Sequence, residues 1–312
     1  MLKEVLFLLV GFFILIKGAD KFVEGASKIA AKFHIPQIVI GLTIVAFGTS
    51  APEAAISITS AMAGSVDLAV GNVIGSNIMN ILLILGIAGI LAPLGLKKNT
   101  YRYEIPFVMV ITLVLVVLGK LGNSIDFMDG VILWVIFLGF MYYLYRLVKS
   151  GEGSVDEIEE LDEKDTFPKL IIFAIGGIVA IVVGSDLTID SATAIATTLG
   201  VSERLIGLTI VAFGTSLPEL ITSAMAALKG KTDITIGNII GSNIFNILFV
   251  LGTTALVSPT AITFESSFIV DGLVAIGALI LFFVCINSEL KLRKSGAIIM
   301  LLTYVAYFVS LL

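Results

Sequence analysis

The sequence is nearly without the side chains that soft metals and disulfides need. It holds one cysteine, Cys285, and one histidine, His34, in 312 residues. No disulfide can form within the chain, and the usual zinc arrangements, the HExxH helix among them, are excluded. Cys285 lies in an apolar run and reads as a small core or lipid-facing residue. His34 stands beside Pro36, where a helix should begin, and reads as a loop residue. Charge is scarce too. Only 14% of residues are Asp, Glu, Lys or Arg, against about a quarter in soluble domains. No basic patch suited to nucleic acid is present.

What is abundant is apolar. Hydrophobic residues make up 58% of the chain, and its mean hydropathy is +1.09. Such a chain belongs in a bilayer. At roughly 20 residues per helix it has room for about ten spans. These are expected at 4–20, 37–62, 69–92, 103–119 and 126–148, then at 169–187, 203–228, 235–257, 266–286 and 294–312. The run 5–16 resembles the core of a signal peptide, but no small-residue cleavage site follows it. The segment after it has a counterpart later in the chain, so it counts as the first span.

Comparison of the chain with itself shows a repeat. Residues 40–53 read IGLTIVAFGTSAPE and residues 206–219 read IGLTIVAFGTSLPE, identical at thirteen of fourteen positions. Residues 71–82 read GNVIGSNIMNIL and residues 237–248 read GNIIGSNIFNIL, identical at ten of twelve. Both matches, and the pair Asp20 and Asp186, share an offset of 166 residues. Two homologous halves follow, 1–148 and 169–312, joined by an acidic linker at 149–168. The linker carries Glu152, Asp156, Glu157, Glu159, Glu160, Asp162, Glu163 and Asp165, has no EF-hand spacing, and reads as a solvated connection. Five spans per half is an odd number, so the second half enters the membrane from the opposite side, an inverted repeat. With the N-terminus outside, 16 of the 19 basic residues fall on the cytoplasmic side. The positive-inside rule therefore puts both termini outside and the linker in the cytoplasm.

Glu53 and Glu219 fall inside long apolar spans. A carboxylate near the bilayer centre costs about 3 kcal/mol on insertion scales. No lysine or arginine lies in the interior of any span near them, so a bound cation is the expected partner. Each follows Gly-Thr-Ser-x-Pro. Pro52 should clash with the carbonyl of Gly48, and Pro218 with that of Gly214, breaking each helix at mid-membrane. Thr49 and Ser50 stand four and three residues before Glu53; Thr215 and Ser216 stand likewise before Glu219. Ser76 and Asn80 share a helical face, as do Ser242 and Asn246. Gly71 with Gly75, and Gly237 with Gly241, are spaced for close helix approach. Singly, such Ser and Asn residues bond between helices. Doubled beside two glutamates, they point to ligation. Every candidate ligand is oxygen, which selects hard cations, and calcium accepts six to eight oxygens in flexible geometry. Two negative charges balance one calcium but cannot also hold several sodium ions. Competition for a charge-limited site is the physical basis of antiport.

GTSAPE and GTSLPE, with GNVIGSNIMN and GNIIGSNIFN, resemble the two alpha-repeats of the sodium/calcium exchangers in the calcium/cation antiporter superfamily, in its compact prokaryotic form. The resemblance covers nearly the whole chain. It implies an all-α membrane protein of ten transmembrane helices in two inverted five-helix repeats, with the second and seventh broken at mid-membrane. It implies a calcium site on Thr49, Glu53, Thr215 and Glu219. It implies sodium sites using Ser76 and the Ala46 carbonyl on one side, and Ser242, Ser216 and the Ala212 carbonyl on the other, with Asn80 and Asn246 completing the centre. In archaeal members, and in a potassium-dependent variant, the position of Asn246 is acidic. The resemblance also implies exchange of about three sodium ions per calcium, one net charge moved per cycle, and gating by sliding of the first and sixth helices. Calcium and sodium are then cargo, no cofactor is needed, and the protein is expected to act as a monomer in the cell membrane. A proton/calcium antiporter could use the same two glutamates, although protons need no cage of hydroxyls and amides. Occluded midplane carboxylates argue against a channel. The chain is not expected to be an enzyme: a metalloprotease would need histidines that are absent, and an intramembrane aspartyl protease would need aspartates.

Overall fold

In an apolar medium every backbone N–H and C=O must be satisfied within the chain, and uninterrupted apolar runs do this as helices. A computed structural model describes residues 1–62, 67–150, 161–162, 165–201, 206, 210 and 212–311. Among these, seven helices are long and apolar enough to cross a bilayer. They are α4 (Ala69–Leu91), α5 (Thr100–Gly122), α6 (Phe127–Ser150), α7 (Phe167–Thr198), α10 (Thr232–Val257), α11 (Ser266–Cys285) and α12 (Lys294–Leu311). An eighth candidate is the pair α2 (Gln37–Thr49) and α3 (Ala51–Met62), bent by 49° at Ser50. The first helix, α1 (Leu2–Lys32), is continuous but carries Lys17, Asp20, Lys21, Glu24, Lys28 and Lys32 in its second half. Of the expected span 203–228, residues 203–205, 207–209 and 211, with Arg204, lie outside the described residues. What is described includes α8 (Ala212–Thr215) and α9 (Leu217–Leu228), too short to cross alone. The linker residues Glu152, Asp156, Glu157, Glu159, Glu160 and Glu163 also lie outside them.

Two helix ends differ from expectation. α1 runs to Lys32 rather than stopping near 20, and α7 runs to Thr198 rather than 187. The charges that follow residue 20 are arranged to continue α1. Lys21 and Lys28 flank Glu24 at three and four residues, 2.8 and 3.1 Å from its carboxylate. The opposite face buries Phe22, Val23, Ala26 and Ala30. Both helices owe their close packing to glycine. A Cβ on Gly177 would meet the Phe22 backbone nitrogen at 2.7 Å, and one on Gly184 would meet that of Leu15 at 2.6 Å. This pair shares one apolar cluster with parts of α2, α9 and α10. A larger cluster joins α2, α4 to α6 and α10 to α12.

The connectors also pair. Residues 94–95 form a short antiparallel ladder with 291–292, and 124–125 with 262–263. Connectors of one half thus meet connectors of the other. His34 lies just past α1 with φ 55°, a loop position as expected.

Candidate functional site

The two GTS-x-P-E segments meet at the centre. At Ser50 the chain leaves the helix (φ −84°, ψ 6°) and resumes it at Ala51; at Ser216 it does the same (φ −92°, ψ 6°). Pro52 and Pro218 stand two residues beyond, at the start of α3 and α9, where a missing N–H costs nothing. The break expected from sequence is therefore present on both sides. One freed carbonyl takes a protein donor: Gly214 accepts the Ser185 hydroxyl from α7 at 3.2 Å.

The glutamates sit on the first turns that follow, and each is 1% exposed. The serine of each half serves the glutamate of the other. Ser50 Oγ donates to Glu219 Oε1 at 2.9 Å, and Ser216 Oγ donates to Glu53 Oε1 at 3.4 Å. The second oxygen of each carboxylate, Oε2, is buried with no hydrogen-bond partner among the described residues. Among the described residues no lysine, arginine or histidine forms an ion pair with either glutamate. Two buried carboxylates without counter-charge, each with a spare oxygen, are what a cation would complete.

Thr49 and Thr215 are buried beside the serines. Thr49 donates to Asn238 Oδ1 at 3.0 Å, and Asn238 is oriented by donating from Nδ2 to Ser223 at 2.9 Å. That leaves the lone pairs of the Thr49 hydroxyl for a ligand. In the other half Asn72 likewise donates to Ser57 at 3.0 Å. The Ala46 carbonyl accepts the Ser50 N–H at 3.0 Å and has the Thr49 hydroxyl 3.3 Å away. Ala212 begins the single turn that ends at Thr215.

The other repeated motif lies on α4 and α10. Ser76 and Ser242 are buried, and Ser242 Oγ has no partner among the described residues. Asn80 and Asn246 are each 1% exposed and lie in π-helical turns, 80–84 and 245–251, a local widening common at functional sites. Their Oδ1 atoms are buried and have no partner among the described residues. Gly237 and Gly241 of α10 allow the close approach expected of them. Added Cβ atoms would stand 2.8 Å from Gly41 Cα and 2.7 Å from Ala46 Cβ. Gly71 and Gly75 of α4 do not show that approach among the described residues: a Cβ on Gly71 would meet the Phe268 ring at 3.6 Å, an ordinary contact, and one on Gly75 would meet nothing within 4 Å.

Sequence reasoning passed over several buried polar groups. Asn72, Asn77, Asn238 and Asn243 were in view inside the doubled motifs, and the doubling was the signal. Glu104 was not. It is 1% exposed at the start of α5, takes a hydrogen bond from the Tyr143 hydroxyl, and has no repeat mate at the common offset. No group of three or more His, Cys, Asp or Glu side chains able to hold a metal occurs among the described residues. The donor set is two carboxylates among hydroxyls and amides, suited to hard cations.

The sequence profile described as sodium/calcium exchanger protein matches residues 3–146 and again 169–312. The chain is 38% identical over 320 residues to a putative antiporter, CaxA, of Alkalimonas amylolytica, covering 98% of each. It is 35% identical to the sodium/calcium exchanger MaX1 of Methanosarcina acetivorans, covering 98% of this chain and 97% of that one. Among solved structures, the sodium-calcium exchanger NCX_Mj soaked with sodium and calcium superposes with a TM-score of 0.86 at 32% identity, covering 100% of this chain and 99% of its own. Its apolar helices and these relatives make the chain an integral membrane transporter of the cation/calcium antiport type, and it belongs to the sodium/calcium exchanger family.

Proposed function

We propose that the protein exchanges sodium for calcium by alternating access at one site between its halves, moving about three sodium ions per calcium and hence net charge. The observation that carries this is the reciprocal bonding of Ser50 to Glu219 and Ser216 to Glu53, with a spare oxygen left on each buried carboxylate. Calcium neutralises the two glutamates, while several sodium ions exceed that charge. The two cargoes therefore compete. Thr49, Thr215, Ser76, Ser242, Asn80, Asn246 and the carbonyls of Ala46 and Ala212 supply neutral oxygens around the pair.

The same reading takes the chain as ten spans in two inverted halves, 1–148 and 169–312, with both termini outside. α1 and α7 slide as one body to open the site to either face. Their mutual packing through Gly177 and Gly184 supports motion as a unit.

The test is calcium-45 uptake into vesicles containing the protein. An outward sodium gradient should drive uptake, and a valinomycin-clamped potential should change its rate. Uptake driven only by a pH gradient would replace sodium with protons as the coupling ion. Normal uptake by Glu53→Gln would overturn the site.

A further inference from the structure

Asn77 and Asn243 are buried, 4% and 1% exposed, and bonded to each other across the two halves. Asn77 Nδ2 donates to the backbone carbonyl of Asn243 at 3.2 Å. Asn243 Nδ2 donates to the backbone carbonyl of Asn77 at 3.4 Å. A backbone carbonyl can only accept, so these two contacts determine which end of each amide is nitrogen. The other end of each is an oxygen, and both oxygens are used. Asn77 Oδ1 accepts from Asn246 Nδ2 at 3.1 Å, and Asn243 Oδ1 accepts from Asn80 Nδ2 at 3.0 Å.

The consequence falls on Asn80 and Asn246. Their nitrogens are committed to the neighbouring asparagines. Their oxygens are the buried ends, without a partner among the described residues.

We infer that Asn77 and Asn243 are positioning residues that hold the amides of Asn246 and Asn80 with their oxygens, rather than their NH2 groups, presented to the transported cation. Rotation about the last torsion of asparagine is broad and roughly two-fold, so an unanchored amide turns over at little cost. Turned over, it offers two donors, which repel a cation and attract the glutamate oxygens. The anchor therefore matters most when the ion has left. Without it, an amide could bond to an empty carboxylate and close the site against the next ion. The inference rests on reading Glu53, Glu219, Asn80 and Asn246 as one cation site.

A double-mutant cycle tests it, read as the calcium KM and maximal rate of sodium-driven uptake in vesicles. The set is wild type, Asn77→Ala, Asn246→Ala and the double variant. Asn77→Ala should raise KM several-fold with a smaller change in maximal rate. In the Asn246→Ala background it should have little further effect, because the residue it positions is gone. An unchanged KM, or effects that multiply independently, would overturn the inference. Asn77→Ser, a milder truncation, serves the same cycle if the alanine variant does not fold. Asn243→Ala with Asn80→Ala repeats it on the other side. Glu53→Gln run in parallel separates the two readings. If that variant is inactive while Asn77 and Asn246 act independently, the positioning role alone fails. If it transports normally, the site itself fails.

Discussion

Ser50 stands three residues before Glu53, yet its hydroxyl donates to Glu219, on the other half of the chain. A hydrogen bond to a charged group contributes about 1.5–3 kcal/mol. Ser50→Ala removes the Ser50 hydroxyl donor to Glu219 Oε1 and makes the ion-free protein costlier to hold folded. The expected outcome is a lower melting temperature in calcium-free, sodium-free detergent solution, with a larger rise on adding calcium than wild type shows. Glu53→Gln acts in the opposite sense. It relieves one buried charge but removes half of what neutralises calcium. Calcium should then raise the melting temperature little, and uptake should fall by at least roughly tenfold, the equivalent of about 1.4 kcal/mol.

At the scale of the element, the break in a helix is what delivers these side chains. The 49° bend between α2 and α3 turns on Ser50, with Pro52 two residues beyond. Pro52→Ala restores an N–H able to bond the carbonyl of Gly48, which favours a straight helix. The fold should persist and the calcium KM should rise, as Ser50 is drawn away from Glu219. Packing between α1 and α7 makes a separate prediction. Gly177→Ala would bring a methyl within 2.7 Å of Phe22 backbone, which cannot swing aside. Overpacking of this kind costs about 1–3 kcal/mol, visible as a lower melting temperature. Much at this scale was legible in the sequence. The glycines, prolines and doubled motifs announced both breaks. The full length of α1 was not legible, because Lys21, Glu24 and Lys28 look like a helix exit until their mutual spacing and the buried Phe22 face are seen together.

Across the whole molecule, α1 is tied to its surroundings by charge outside the apolar zone. Asp165, just before α7, is held by Lys28 of α1 at 2.9 Å and by Lys169 at 3.0 Å. Lys28 foremost, then Lys169, keep its carboxyl well below the usual carboxylate range. A group whose folded value is depressed contributes stability above its unfolded value, about 3.9 for aspartate, and loses it as pH falls through the folded value. Asp165→Asn should therefore be less stable than wild type at neutral pH. The gap should narrow as pH drops below about 4. Melting curves of both proteins across pH would show it. Lys229 makes a second tie, from the end of α9 to the Asp20 carboxylate of α1 at 2.6 Å.

The sequence by itself determined the membrane setting, the two halves and the two glutamates. These are properties of composition and of repetition along one dimension, and insertion cost alone makes a midplane carboxylate conspicuous. Only the tertiary structure decided that each serine serves the opposite glutamate and that four asparagines orient one another. Those contacts join residues 163 to 169 positions apart. No periodicity encodes them, because they depend on how two bent segments and two helices cross.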